Sequence, residues 1–203
     1  MSKATVFHLD KEHPNFKKIK RVNECLKDGG VVIYPTDTVY AMGCDIQQVK
    51  AIDRLYRIKE LDKDHLMSLI CGDLSQASNY VNFDNRAFST IKRLIPGPFT
   101  LILEANRDVP KKYMGSRTTV GIRIPDARVV NHLVAKLGRP LVTTSVVDDE
   151  GNPMLDPEEI YEKYGHAVDY LLNQGTMYNE QSTVLQYEED AWRLIRQGKG
   201  IVP

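Results

Sequence analysis

Hydroxyl-bearing residues recur where short apolar runs of this chain stop. Thr36-Asp37-Thr38 follows Val31-Val32-Ile33-Tyr34, and Thr119 and Arg123 bracket Val120-Gly121-Ile122. Thr143-Thr144-Ser145 closes the run that begins at Pro140, and Ser182-Thr183 opens the last apolar segment. Hydroxyls and backbone N–H groups at strand ends can position phosphate oxygens, and an arginine grips a carboxylate or phosphate through its planar fork of donors. Ligands of open α/β sheets bind where strands end in loops. The combination suits an anionic ligand. Each hydroxyl taken singly also fits a plainer role, that of satisfying loop backbone.

Arg123 stands apart because it interrupts an otherwise apolar run, Val120-Gly121-Ile122-Arg123-Ile124-Pro125. A buried guanidinium is costly unless an anion or a carboxylate meets it, so a ligand contact is expected there. Lys59, Arg117, Arg196 and Lys199 are the other basic residues near these loops, and each also reads as an ordinary solvated charge. The five histidines, His8, His13, His65, His132 and His166, show no metal spacing, and no metal ligand set is expected. Neither a G-x-x-x-x-G-K loop nor a G-x-G-x-x-G turn is present, which disfavours the two commonest nucleotide folds.

The elements that must carry these residues alternate. Phe16, Ile19, Val22 and Leu26 recur at helical spacing and Gly29-Gly30 stops them, so residues 14–28 read as an amphipathic helix. A buried strand, Val31–Tyr34, then delivers the first polar loop. Val49, Ile52, Leu55 and Tyr56 form the next stripe, with Lys59 just past it and a strand at Met67–Cys71. Phe88, Ile91, Leu94 and Ile95 mark a helix, Pro96-Gly97-Pro98 a turn, and Phe99–Leu103 a strand that Val120–Ile124 would pair near. Asp126 is expected to cap the helix carrying Val129, Val130, Leu133, Val134 and Leu137, which Gly138 ends before a strand at Pro140–Ser145. Asp156-Pro157-Glu158-Glu159 starts a short helix running to about Gly165, and a strand follows at Val168–Leu172. Ser182–Tyr187 and Trp192–Arg196 read as a closing hairpin. Interleaved strands and helices without repeats or linkers predict one α/β domain over residues 1–203, with a mixed twisted sheet.

Composition narrows the setting. Twenty-seven Lys plus Arg balance twenty-seven Asp plus Glu, so no global positive field holds a polyanion, and nucleic acid would need a local patch. Such a patch is Lys17, Lys18, Lys20 and Arg21, although these residues flank an amphipathic stripe where solvated charges belong. Cys25, Cys44 and Cys71 are odd in number and widely spaced, supporting neither a disulfide framework nor a zinc site. With no apolar signal core and no run long enough to span a membrane, a soluble, cytoplasmic protein is expected.

The motifs now carry a resemblance. Tyr34-Pro35-Thr36-Asp37-Thr38-Val39-Tyr40-Ala41-Met42-Gly43 resembles the YPT-[ED]-T-x-YGLG signature of YrdC-like proteins. The likeness continues through Pro96–Leu103, Val120–Pro125, Thr143–Ser145, Ser182–Val184 and Ile195–Gly198, covering nearly the whole chain. It implies a twisted sheet with helices around a basic cavity. It also implies an ATP-dependent nucleotidyltransferase joining L-threonine, bicarbonate and ATP into threonylcarbamoyl-adenylate, with Mg2+ borne by the ATP, in support of the threonylcarbamoyladenosine modification of tRNA.

Carried over position by position, the resemblance makes Thr36, Arg123 and Ser182 threonine contacts. Lys59, Thr119, Thr143, Ser145 and Arg196 fall on the nucleotide side, and Lys59 and Arg123 become the catalytic cations. The departures fall on the same signature. The family's K-x-R appears as Lys59-Glu60-Leu61, its proline-leucine partner as Leu66-Met67, and its S-x-N as Ser145-Val146-Val147, while Ala41 and Met42 replace Gly and Leu. These changes resemble the YciO-type branch and imply weakened synthesis, with Arg57 or Lys63 as neighbouring cations that could compensate. Double-stranded RNA or tRNA binding without synthase activity is the alternative the resemblance leaves open, and a nucleotide-binding regulatory paralogue is a third.

Overall fold

The structure is a computed structural model that describes residues 3–62, 65 and 67–202, with Lys112 described by its backbone alone. Eleven strands lie among the described residues: β1 (Thr5–His8), β2 (Val32–Tyr34), β3 (Ala41–Asp45), β4 (Ser68–Ile70), β5 (Val81–Asn82), β6 (Phe99–Ala105), β7 (Thr119–Arg123), β8 (Leu141–Ser145), β9 (Tyr170–Asn173), β10 (Thr183–Glu188) and β11 (Ala191–Arg196). The helices are α1 (Phe16–Lys27), α2 (Val49–Ile58), α3 (Leu74–Ala77), α4 (Asn85–Leu94), α5 (Lys111–Met114), α6 (Arg128–Leu137) and α7 (Pro157–Tyr164).

The strands form one mixed sheet in the order β1-β9-β2-β3-β8-β4-β7-β6-β10-β11, and β5 adds to β6. Pairing is parallel for β1/β9, β2/β9, β4/β7 and β6/β10, and antiparallel for the rest. Two cores cover the two faces. Ile19, Val22 and Leu26 of α1 and five apolar residues of α6 pack over Val32, Tyr34, Ile70 and Leu141. The opposite face, with Ile33, Met42, Leu69, Val142 and Ile122, packs against α2, α4, α5 and α7.

Most expected elements stand within one to three residues of their predicted bounds. Asn15 accepts from the Lys17 and Lys18 amides at the start of α1, Asp156 caps α7 from the side chain, and Gly138 ends α6 with φ 76°. The Glu188–Ala191 pair closes a two-residue turn in which Glu189 and Asp190 both take positive φ, the twist a tight hairpin needs.

One expectation is corrected, and one strand goes beyond the sequence reading. The residue before α6 is Ala127, with no side-chain cap; Asp126 instead donates its amide to Asp37 Oδ2 at 3.2 Å. Ala41–Asp45 forms a strand that the sequence pattern does not predict, and all five residues are buried. Their Ala, Met, Gly, Cys and Asp side chains lack the β-branched signature by which strands are read.

Candidate functional site

Strand alternation sorts the side chains of the sheet. Registers Gly121↔Ser68, Ser68↔Thr143 and Thr143↔Gly43 align small residues from four adjacent strands on the face that α1 and α6 cover elsewhere. A Cβ built on Gly121 would approach Ser68 Oγ to 2.9 Å and Thr100 Cγ2 to 3.2 Å, which puts Thr100 on the same face. Beyond the edge of α6 the sheet therefore presents hydroxyls and glycine, and Arg123, two residues along from Gly121, points the same way.

Arg123 is 6% exposed. Its Nη2 donates to Asp37 Oδ1 at 2.5 Å, Thr38 Oγ1 at 2.6 Å and Thr36 Oγ1 at 3.2 Å, so the loop after β2 folds back over β7. The expected counter-charge is thus supplied by the chain itself, through the buried carboxylate of Asp37. The Nε of Arg123 is buried and has no partner. Thr36 donates its hydroxyl proton to the Val39 carbonyl at 2.7 Å and accepts from the Thr38 amide, so its role here is to hold the loop and the guanidinium.

Ser182 arrives from the start of β10, which pairs in parallel with β6. Its hydroxyl meets Thr100 Oγ1 at 2.8 Å, and Arg196 donates to the Ser182 carbonyl from Nε and Nη2 at 3.2 and 2.9 Å and to Gln181 Oε1 from Nη1. Burial first and the charge of Arg123 second lower the Arg196 pKa, so the two guanidiniums share one neighbourhood. Thr143 joins through Tyr34, whose buried hydroxyl lies 2.8 Å from Thr143 Oγ1 and whose pKa is raised by burial. Lys199, which sequence reasoning left among surface charges, donates from Nζ to the Asp37 carbonyl at 2.5 Å and closes the ring.

Lys59 and Ser145 lie elsewhere on the sheet's rim. Lys59 Nζ donates to Tyr164 Oη at 3.1 Å and sits 5.1 Å from that ring's centroid, while Tyr164 donates to the Val147 carbonyl at 2.8 Å. Burial and the like charge of Lys163 bring its pKa down to about 8. Ser145 pairs with Ala41 just before that loop. Thr119 is not brought to either group: it lines a second cleft with Glu104, Asp84, Tyr187 and the acidic hairpin turn.

Of the compensating cations, Arg57 donates to its own helix at the Asp53 carbonyl, and Lys63 lies outside the described residues, as does Leu66 of the altered motif. Arg117 is pinned to the Met114, His65 and Tyr113 carbonyls and to Tyr56 Oη, a brace for the chain beyond Lys59. Three of the four basic residues of the α1 patch have local contacts. Lys18 donates to the His8 carbonyl, Lys18 and Arg21 lie over the Phe7 ring, and Lys20 faces Glu24.

Beside the Arg123 ring opens a cleft of about 840 Å³. Thr36 and Asp37 form part of its wall, Pro96–Pro98 another, Gln174 and Thr176–Asn179 a third, and Lys199 the junction. Lys11 and Arg128 stand against Glu12 and Asp126 in the lining, so the basic cavity implied by the resemblance is here mixed in sign. Among the described residues no group of three His, Cys, Asp or Glu side chains could hold a metal, and no helix is long and apolar enough to cross a membrane.

The Sua5/YciO/YrdC family model, described as telomere recombination, matches residues 24–198, a span that holds Thr36, Lys59, Arg123, Ser182 and Arg196. The chain belongs to the Sua5/YciO/YrdC family. Within it, the YciO protein of Escherichia coli is 34% identical over 198 residues, covering 97% of this chain and 96% of that one. The crystal structure of E. coli YciO superposes with a TM-score of 0.93 at 33% identity and 98% coverage of both chains. A threonylcarbamoyl-AMP synthase of Vibrio vulnificus is 30% identical over 157 residues, covering 76% of this chain and 84% of its own. Pyrococcus abyssi Sua5 complexed with L-threonine shares the fold, with a TM-score of 0.89 at 23% identity over 96% of this chain and 58% of that one. Family membership thus comes with YciO-type proteins at higher identity than the synthases.

Proposed function

We propose that this Sua5/YciO/YrdC-family protein binds MgATP and L-threonine in the cleft beside Arg123 and condenses them with bicarbonate into threonylcarbamoyl-adenylate. Pyrophosphate and water are released. The observation that carries the reading is the unpartnered, buried Nε of Arg123, set beside hydroxyls delivered by two loops and strand β6. A buried donor without a partner is costly, and a carboxylate placed there would satisfy it.

The chemistry asks little of a protein nucleophile. A carbamate formed on the amino group attacks the α-phosphorus, so the protein must bring two anions together, align them and offset their charge. Arg123 and the Ser182–Thr100 hydroxyl pair would take the amino acid, with Thr36 acting through Arg123. Arg196, Lys199 and the cations of the cleft rim would face the phosphates, and magnesium travels with the nucleotide as part of the substrate. Lys59 and Ser145 would extend the nucleotide side, with Thr143 supporting the wall between. A threonylcarbamoyl-adenylate product would supply the threonylcarbamoyladenosine modification of tRNA.

Titration calorimetry with MgATP and L-threonine, followed by pyrophosphate release with bicarbonate, tests the reading. Both ligands should bind the wild-type chain, and Arg123→Met should lose threonine first. Absence of binding by either ligand up to about 1 mM, together with no pyrophosphate, would end it.

A further inference from the structure

The segment between β9 and β10 is a strap along one wall of the cleft. Its near end is tied down: Tyr40 Oη donates to the Gly175 carbonyl at 2.9 Å, Thr176 to Asp156 Oδ2 at 3.1 Å, and the Met177 amide to the Leu155 carbonyl at 2.9 Å. Its far end is tied at Gln181, whose carbonyl accepts from the Lys199 amide at 2.9 Å and whose side chain accepts from Arg196. Tyr178, Asn179 and Glu180 lie between these anchors and make no hydrogen bond among the described residues.

Tyr178 is 89% exposed, the most solvent-open large apolar side chain among the described residues, and it lines the cleft. Among the described residues no ring or cation lies against it, whereas Tyr187, Tyr170, Tyr161 and Tyr164 each have one. The neighbouring walls are apolar where Pro35, Pro96, Pro98 and Met177 line them, and cationic at Lys199. A cleft with a charged end, an apolar middle and a free aromatic ring on a short tether suits a ligand that joins an anionic group to a planar heterocycle. Aromatic side chains bind such rings by stacking, a contact tolerant of which base is presented.

We propose that Tyr178 is the base-binding residue of the cleft, stacking on the purine of the nucleotide while the polar end of the cleft takes its phosphates. The inference rests on the nucleotide reading above and adds to it how the nucleoside, as opposed to the phosphate chain, is recognised. Because the ring is not packed against the core, its removal leaves the fold intact and acts on binding alone.

Calorimetry on the full chain with ATP and with inorganic tripolyphosphate separates the parts. Tyr178→Ala should weaken ATP about tenfold or more while leaving tripolyphosphate unchanged, and Tyr178→Trp should hold ATP at or above wild-type affinity. Thermal melting of both variants should match the wild type. Unchanged ATP affinity in Tyr178→Ala, or an equal loss for tripolyphosphate, overturns the role of the ring while nucleotide binding stands. If the wild-type chain binds neither ligand, the nucleotide reading itself fails and the stacking role falls with it.

Discussion

Asp37 and Arg123 form an ion pair of 2.5 Å between side chains that are only 9% and 7% exposed. The cation of the site is therefore neutralised before any ligand arrives. What it retains for a ligand is direction, through the unpartnered buried Nε, more than net charge.

Breaking such a pair from either side leaves a lone buried charge, a loss of about 3 to 5 kcal/mol, whereas replacing both partners with apolar residues is far milder. Asp37→Leu and Arg123→Met should each lower the urea midpoint sharply. The double variant should recover most of the loss. Single variants as stable as the wild type would show that the pair is solvated in solution.

Lys59 makes the protein sensitive to mildly alkaline pH. Its folded pKa of about 8 lies below the ordinary 10.5, so the unfolded chain binds the extra proton between those values. The group's penalty on folding is complete below about pH 8, shrinks as pH rises and is gone above about 10.5. Relative to Lys59→Met, wild-type stability should climb across that window. If Lys59 also meets phosphate, ATP affinity should fall as pH passes about 8, and the Met variant should show a flat profile there. Parallel profiles for the two proteins in calorimetry would remove Lys59 from the nucleotide side.

Two glycines on the small-residue face of the sheet differ in how closely their neighbours crowd them. A Cβ at Gly43 would come within 2.6 Å of the Tyr34 hydroxyl and 2.7 Å of the Val142 carbonyl, the latter being backbone that cannot yield. At Gly121 the nearest atom is the Ser68 hydroxyl at 2.9 Å, which can rotate away. Gly43→Ala should therefore cost more stability than Gly121→Ala, within about 1 to 3 kcal/mol for overpacking. The reverse order in chemical denaturation would contradict the registers given above.

Leu61 occupies the position where the synthase signature has a second cation, and it packs partly buried against the core. On the synthase reading, Leu61→Arg should raise ATP-dependent pyrophosphate release by about thirtyfold to a thousandfold, the equivalent of roughly 2 to 4 kcal/mol. Some stability should be lost with the leucine. An unchanged rate in a folded variant would mean that the cleft serves another reaction.

Much of this architecture was legible because apolar runs and helical stripes are set by local periodicity. The α6 stripe, the Asp156-Pro157 start and the Gly138 stop each follow from a few neighbouring residues. So does the suspicion attached to Arg123, since a charge inside an apolar run demands a partner. The partner's identity was not legible: Asp37 lies 86 positions away, and only the folding back of the β2 loop brings it near. Lys199 reads as one more exposed lysine until its contact with the Asp37 carbonyl is seen. Thr119 illustrates the opposite failure. A hydroxyl at a strand end looks the same in sequence whichever end of the sheet it occupies, and here it faces the acidic hairpin.

The parallel seam between β6 and β10 has a consequence for biogenesis. Thr100 cannot meet Ser182, nor can Asp37 meet Lys199, until the closing hairpin has docked on a sheet built from earlier chain. A ribosome that has made the first hundred and fifty or so residues thus holds most of a sheet but no pocket. On the proposed reading, ligand competence should appear late and all at once, and a ligand would act as a checkpoint on finished molecules without trapping unfinished ones.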